Sequence, residues 1–251
     1  MAIDRTIWNA YHSRDELPLF KCPVCQTGTL LPKGNSVEPL TPEHILRHQN
    51  HSDWHPDWDV STWSEVCKCS NKECGQSVHL SGKAEAHKEP VEDLEHMGVR
   101  TAWVELLKIE TVYPAPFILP LSDKLPQGLW AVLKSSFSLY WSDQSACLNR
   151  LRTAVELLLD DQNISRVTTT AKGKTRRLNL DQRIKLFAQN SNLLDCLDGL
   201  RNIGNLATHD FNKVHHEDAL DAYDVIHHVL REVYDLDEIK SKSKKLKAKN
   251  T

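Results

Sequence analysis

Arg201, Asn205 and His209 follow one another at four-residue intervals within Leu197-Asp198-Gly199-Leu200-Arg201-Asn202-Ile203-Gly204-Asn205-Leu206-Ala207-Thr208-His209-Asp210. On a continuous helix, positions i and i+4 are neighbours, so the three side chains would share one stripe. A guanidinium, an amide and an imidazole so arranged can bind and process a phosphodiester. The guanidinium offsets charge, and the imidazole exchanges protons near neutral pH. The same residues could equally form a polar seam between packed helices.

A second constellation is built from sulfur. Cys22-Pro23-Val24-Cys25 has the form of a zinc knuckle, a tight turn aiming two thiolates at one ion. The other half of the site must come from Cys67-Lys68-Cys69-Ser70-Asn71-Lys72-Glu73-Cys74-Gly75. Cys22, Cys25, Cys69 and Cys74 are the preferred ligands. Cys67 is an alternative to Cys69, and His79 is a possible replacement ligand. Four thiolates close a coordination sphere, which points to structural rather than catalytic Zn2+. A third constellation is cationic: Lys172, Lys174, Arg176 and Arg177 end the polar stretch Ser165–Arg177. It reads as a solvated loop or as an arm that contacts nucleic-acid phosphates.

These residues need two kinds of scaffold. Leu17-Pro18-Leu19-Phe20, Leu30-Leu31 and Val78-His79-Leu80 read as short strands around the cysteines, as in a zinc ribbon. The intervening His- and Trp-rich insertion, Pro42 to Trp58, reads as a surface segment whose tryptophans pack over the ribbon's small core. A second metal site or an aromatic platform for bases is the alternative. Ser81–Arg100 is charged and predicted to be helical in part, and Ala102–Glu110 is predicted as a strand. Beyond the Pro-punctuated connector Ile118–Pro126 the apolar period becomes helical. Helices are predicted after Pro126, over about 143–161, from a cap at Asp181 to about 188, from Leu193 to about Leu200, and over about 217–233. Continuation of the fourth through the Arg-Asn-His stripe is left open, since Gly204 weakens or bends a helix. Cys147 and Cys196 fall in apolar stripes and read as structural thiols. His215 and His216, before the last helix, read as solvent-exposed.

Bulk properties bound the function. The 251 residues are 40% hydrophobic and 26% charged, enough for a packed core. A net charge of -3 argues against a uniformly basic coat, so any polyanion site must be local. No signal peptide or membrane span is expected, and the cysteine usage fits a reducing compartment, so the chain reads as cytoplasmic. Walker-type and dinucleotide glycine loops, a His-Glu-x2-His pair and a Gly-x-Ser-x-Gly elbow are all missing from the sequence.

Three motifs in matching order carry a resemblance over roughly residues 115–235. They are Ile118-Leu119-Pro120-Leu121 before Pro126, Arg150-Leu151-Arg152-Thr153-Ala154-Val155-Glu156-Leu157-Leu158, and Leu200 through His209. The region resembles an uncharacterised bacterial domain family of the HEPN (higher eukaryotes and prokaryotes nucleotide-binding) superfamily, found alone or fused to restriction-enzyme subunits. The resemblance implies an all-α HEPN-like bundle of four or five helices over 115–236, so that with the small β-rich zinc ribbon read from the cysteines over 1–114 the expected chain is α+β. A disordered Lys-rich tail, 237–251, would follow. It also implies a homodimer through the helical domain, a defence-system partner protein, and RNA or DNA as ligand. The function implied is that of a nucleic-acid or partner-binding module in prokaryotic immunity to phage or mobile elements. The alternative is a metal-independent endoribonuclease using Arg201 and His209, with Asn205 orienting substrate or imidazole. Active members place a His shortly after an Arg, whereas seven residues separate Arg201 from His209 here.

Overall fold

The computed structural model describes residues 3–34, 37–93, 98–171, 173–189, 192–235, 242–243 and 245–247. The chain divides into two compact units, Asp4–Pro116 and the stretch from Phe117 onward, which Ile3 joins. The first is β-rich and the second helical, an α+β chain in that order. Most of the Lys-rich tail lies outside the described residues.

The first unit is a five-stranded antiparallel sheet. Its strands are β1 (Tyr11–His12), β2 (Leu30–Pro32), β3 (Val60–Cys69), β4 (Ser77–Asp93) and β5 (Gly98–Tyr113), in the order β1-β5-β4-β3-β2. In β3 every second side chain is inward: Ser61, Trp63, Cys67 and Cys69 are buried. Val78, Leu80 and Ala84 continue the same face in β4. In β5 the inward set changes parity, from Leu107 and Ile109 to Val112. A bulge does this, because Ser81 pairs with Thr111 but Gly82 pairs with Ile109, leaving Glu110 as the extra residue. Gly82 is required there, since a Cβ would sit 1.9 Å from the carbonyl oxygen of Lys108.

Two expectations are corrected in this unit. Residues 81–93 are strand, not helix: they pair with β5 out to Asp93–Gly98. Beyond Ala84 this part of β4 has no fully buried residue among those described, so the alternation that marks a strand is missing from the sequence. The sheet is accordingly larger than a small ribbon. The insertion forms a short helix, α1 (Glu43–His48), but its tryptophans do not cover a core. Trp54 and Trp58 remain 37% and 45% exposed, and Trp54 Nε1 instead donates to Asp59 at 3.1 Å.

The second unit contains α2 (Gln127–Leu139), α3 (Gln144–Asp161), a two-stranded hairpin of β6 (Val167–Thr169) and β7 (Thr175–Arg177), α4 (Leu180–Ala188), α5 (Leu194–His209) and α6 (His216–Leu230). Phe137, Tyr140, Leu148, Leu151, Val155, Leu158, Ile184, Leu197, Tyr223 and Ile226 fill its core. The buried Tyr223 hydroxyl donates to Ser136 Oγ at 2.8 Å, and Ser136 donates to the Leu133 carbonyl. Cys147, fully buried, lies 3.1 Å from the same hydroxyl, and burial pushes its thiol up to about 12. The cap of α4 is Asn179 rather than Asp181: its side chain accepts from the Gln182 amide at 2.8 Å, and Gln182 reciprocates in a capping box. Ser165–Arg177, read as a loop or arm, is largely the β6–β7 hairpin.

Candidate functional site

In the first unit, two knuckles meet at one end of the sheet. Cys22 and Cys25 precede β2, Cys69 ends β3, and Cys74 lies in the turn before β4. Leu30 pairs with Cys69, which draws the knuckles together. Cys22 Sγ is 3.7 Å from Cys74 Sγ, Cys25 Sγ is 3.6 Å from Cys69 Sγ, and all four sulfurs lie within 4.8 Å of one another. Sulfurs about 2.3 Å from a tetrahedral ion stand roughly 3.8 Å apart, so the cluster fits a metal. Among the described residues it is the only group with this property. Cys67 shares the inward face with Cys69 but lies two residues further along β3, roughly 7 Å away, which resolves the choice between them. Burial pushes the Cys67 thiol up to about 11. His79 is exposed and does not join the cluster.

The knuckle backbone is shaped to receive charge on sulfur. Gln26 turns with φ 56° and Gly75 with φ 59°. The Val24 amide donates to Cys22 Sγ and the Gly28 amide to Cys25 Sγ, each at 3.4 Å. Hydrogen bonds from Thr27 and then from the Gly28 amide draw the Cys25 thiol down to about 5. Burial moves Cys69 the other way, up to about 12. Gly28 has no room for a side chain, since a Cβ would stand 2.3 Å from Cys69 Sγ.

In the second unit, α5 runs unbroken through Arg201, Asn205 and His209. Gly204 does not break it; it lets α3 approach. A Cβ there would meet Arg152 Cβ at 2.8 Å. Arg201 lies 3.2 Å from Asp181 of α4 and 3.3 Å from Asp198, which ties α4 to α5. Asn205 is half-buried and His209 is exposed at the helix end. His209 stands eight positions after Arg201, about 12 Å along the helix axis. The neighbouring histidines are used differently. His215 caps α6, with its amide donating to Asp218. His216, contrary to the exposed reading, is half-buried, with its ring centroid 5.2 Å from that of Tyr140.

The cationic stretch is the richer region. Lys174, Arg176 and Arg177 are exposed on the hairpin, and among the described residues none of them has a carboxylate partner. Lys172 lies outside the described residues. Consecutive residues of a strand face opposite sides, so Arg176 and Arg177 diverge. Arg177 lines a cleft of about 340 Å3 together with Arg152, Glu156, Arg166, Asn179 and Arg183. Arg183 is 3% exposed. Its Nη2 donates to Asp160 Oδ1 at 2.7 Å and to the Ile164 carbonyl at 2.9 Å. Arg166 forms a second pair with Asp160, with Nε 2.9 Å from Oδ1. The Arg166 hydrogen bond and the nearby Arg183 hold the Asp160 carboxyl below its ordinary range.

Arg152 and Arg183 were not expected from sequence as site residues. The available signal was Arg183 itself, three residues after Leu180 and next to Ile184, a cation on the apolar stripe of α4.

Two family models match the chain. A domain of unknown function, DUF4145, matches residues 134–249, and a second, DUF8608, matches residues 10–109. No curated protein and no solved structure matches it. Each model covers less than half of the chain, and each falls mainly on one of the two units.

Proposed function

We propose that the chain is a HEPN-like nucleic-acid-binding module of a prokaryotic defence system, carrying a structural Zn2+ in its first unit. The observation that carries the binding reading is the hairpin, where Lys174, Arg176 and Arg177 stand exposed with no carboxylate partner among the described residues, against a net charge of -3. Cations concentrated on one projecting element are the local polyanion contact that a mildly acidic protein requires. Zinc is the ion proposed for the cysteines because four thiolates at tetrahedral spacing suit it and leave no open position for water. The ion then supplies stability and no catalytic step.

The endoribonuclease reading ranks second. The Arg201 guanidinium is engaged by Asp181 and Asp198, and His209 lies two turns away, so no observation favours catalysis over binding. The homodimer and a defence partner protein are proposed on the resemblance alone.

Salt titration of single-stranded RNA binding tests the proposal. Binding should weaken linearly in log salt. Neutralising two cations with Lys174→Gln and Arg176→Gln should lower the slope by about 1.4, at about 0.7 for each phosphate no longer neutralised. A slope unchanged by the double variant would remove the hairpin from the interface. RNA cleavage in a chelator, abolished by His209→Ala, would restore the nuclease reading to first place.

A further inference from the structure

We propose that the four-arginine cleft of the helical unit binds a phosphate monoester, the terminal phosphate of a nucleic-acid strand. This rests on the polyanion reading above and names the group that the site takes.

Three structural elements converge on the cleft. Arg152 and Glu156 come from α3, Arg166 and Arg177 bracket the hairpin at its two ends, and Arg183 comes from the first turn of α4. The hairpin is closed onto this arrangement by its own ends: the Leu178 amide donates to the Arg166 carbonyl at 2.9 Å. Sequence separation therefore disappears, and guanidiniums from four places in the chain line one cavity.

The charge in the cleft is unbalanced. Four guanidiniums are opposed by the carboxylates of Glu156 and Asp160, which leaves two positive charges over. Asp160 is occupied by Arg166 and Arg183 together, whereas Arg152 and Arg177 have no carboxylate partner among the described residues. A phosphate monoester carries close to two negative charges at neutral pH, and an internal phosphodiester only one. The excess matches the monoester. The N-terminal end of α4 adds positive potential of the same sign.

Hydrogen-bond accounting points to the same chemistry. Nε of Arg183 and Nε of Arg152 are buried, and neither has a hydrogen-bond partner among the described residues. Orphaned buried donors are uncommon in folded proteins and mark places where an acceptor is missing. A phosphoryl group offers only acceptor oxygens, and guanidinium forks engage them in pairs. The Arg152 stem packs beside Gly204, and the residue lines the cleft. A cavity of about 340 Å3 admits a group the size of a nucleotide.

The test compares one short single-stranded RNA in three forms, 5′-phosphorylated, 3′-phosphorylated and unphosphorylated, at fixed salt. At least one phosphorylated form should bind about tenfold more tightly than the unphosphorylated one, and inorganic phosphate should erode that preference. Arg152→Lys, which keeps the charge but loses the fork, and Arg177→Gln should bring the ratio close to one. Unchanged thermal midpoints exclude misfolding as the cause. Lys174→Gln with Arg176→Gln should weaken all three RNAs and leave the ratio intact. Equal binding of the three forms by the unaltered protein overturns the monoester site and leaves the hairpin reading standing. Loss of all RNA binding, with adenosine monophosphate still bound in an Arg152-dependent manner, upholds the site and overturns the strand as its source. A phosphoserine peptide that outcompetes phosphorylated RNA overturns the nucleic-acid assignment.

Discussion

One carboxylate, that of Asp160, serves two guanidiniums, and the two differ greatly in exposure: the Arg166 side chain is 47% exposed and that of Arg183 only 4%. The exposed pair contributes little, while the buried cation depends on its partner. Asp160→Asn should therefore destabilise the helical unit by about 2 kcal/mol at neutral pH. A fully buried pair would lose about 3–5 kcal/mol, but Asp160 keeps about a third of its surface in water. The pH dependence follows from the direction of the shift. The folded carboxyl lies below its ordinary value, so its contribution is complete above the unfolded value of about 4 and is lost as pH falls through the folded one. Urea unfolding followed by helical ellipticity should show the gap between variant and wild type closing as the pH drops below about 4. A gap that stays constant with pH would mean that the ion pair is not its source. At this scale the sequence was informative for sulfur and less so for arginine. The Cys-x2-Cys spacing marks the sulfur cluster because a knuckle is a local turn, whereas the arginines meet only through the packing of α3, α4 and the hairpin.

Two glycines five residues apart on α5 show how an element is placed by its neighbours. A Cβ on Gly199 would meet nothing within 4 Å, while one on Gly204 would meet Arg152 Cβ at 2.8 Å. Alanine is favoured over glycine in any helix interior by about 1 kcal/mol. Gly199→Ala should accordingly raise stability by about 0.5–1 kcal/mol. Gly204→Ala should lower it by about 1 kcal/mol, because the obstructing atom is the root of the Arg152 side chain and overpacking costs about 1–3 kcal/mol. Thermal midpoints that move in the same direction for both would contradict the close α3–α5 approach. The helices were legible because each buries one stripe: Leu129, Leu133 and Phe137 of α2 are no more than 1% exposed. The outer part of the β4–β5 hairpin was not legible. With no buried face it shows neither the period of a strand nor that of a helix, and backbone pairing alone defines it. Gly204 illustrates the same limit, since its sequence signal is a weakened helix and its structural role is the space it leaves for α3.

Each unit has its own apolar core, but only the first has a cysteine cluster. That cluster brings together segments about 50 residues apart, so an ion held by the four thiolates would add a link across that end of the sheet to the backbone pairing of Leu30 with Cys69. Five of the seven tryptophans, Trp8, Trp54, Trp58, Trp63 and Trp103, belong to Asp4–Pro116, whereas α2–α6 belong to the other unit. Tryptophan fluorescence and helical ellipticity thus report mainly on different units. A strong chelator should lower the fluorescence-detected midpoint by about 10 °C or more, as a loss of about 2 kcal/mol does in a unit of roughly 100 residues. The ellipticity-detected midpoint should stay in place. Gly28→Ala should reproduce the shift without chelator, because its methyl group would stand only 2.3 Å from Cys69 Sγ and force that sulfur aside. Metal analysis of that variant should show less than the single ion expected per wild-type chain. If chelation moves both midpoints together, the ion stabilises more than the sheet that binds it. If it moves neither, the four thiols do not hold a metal that matters to the fold.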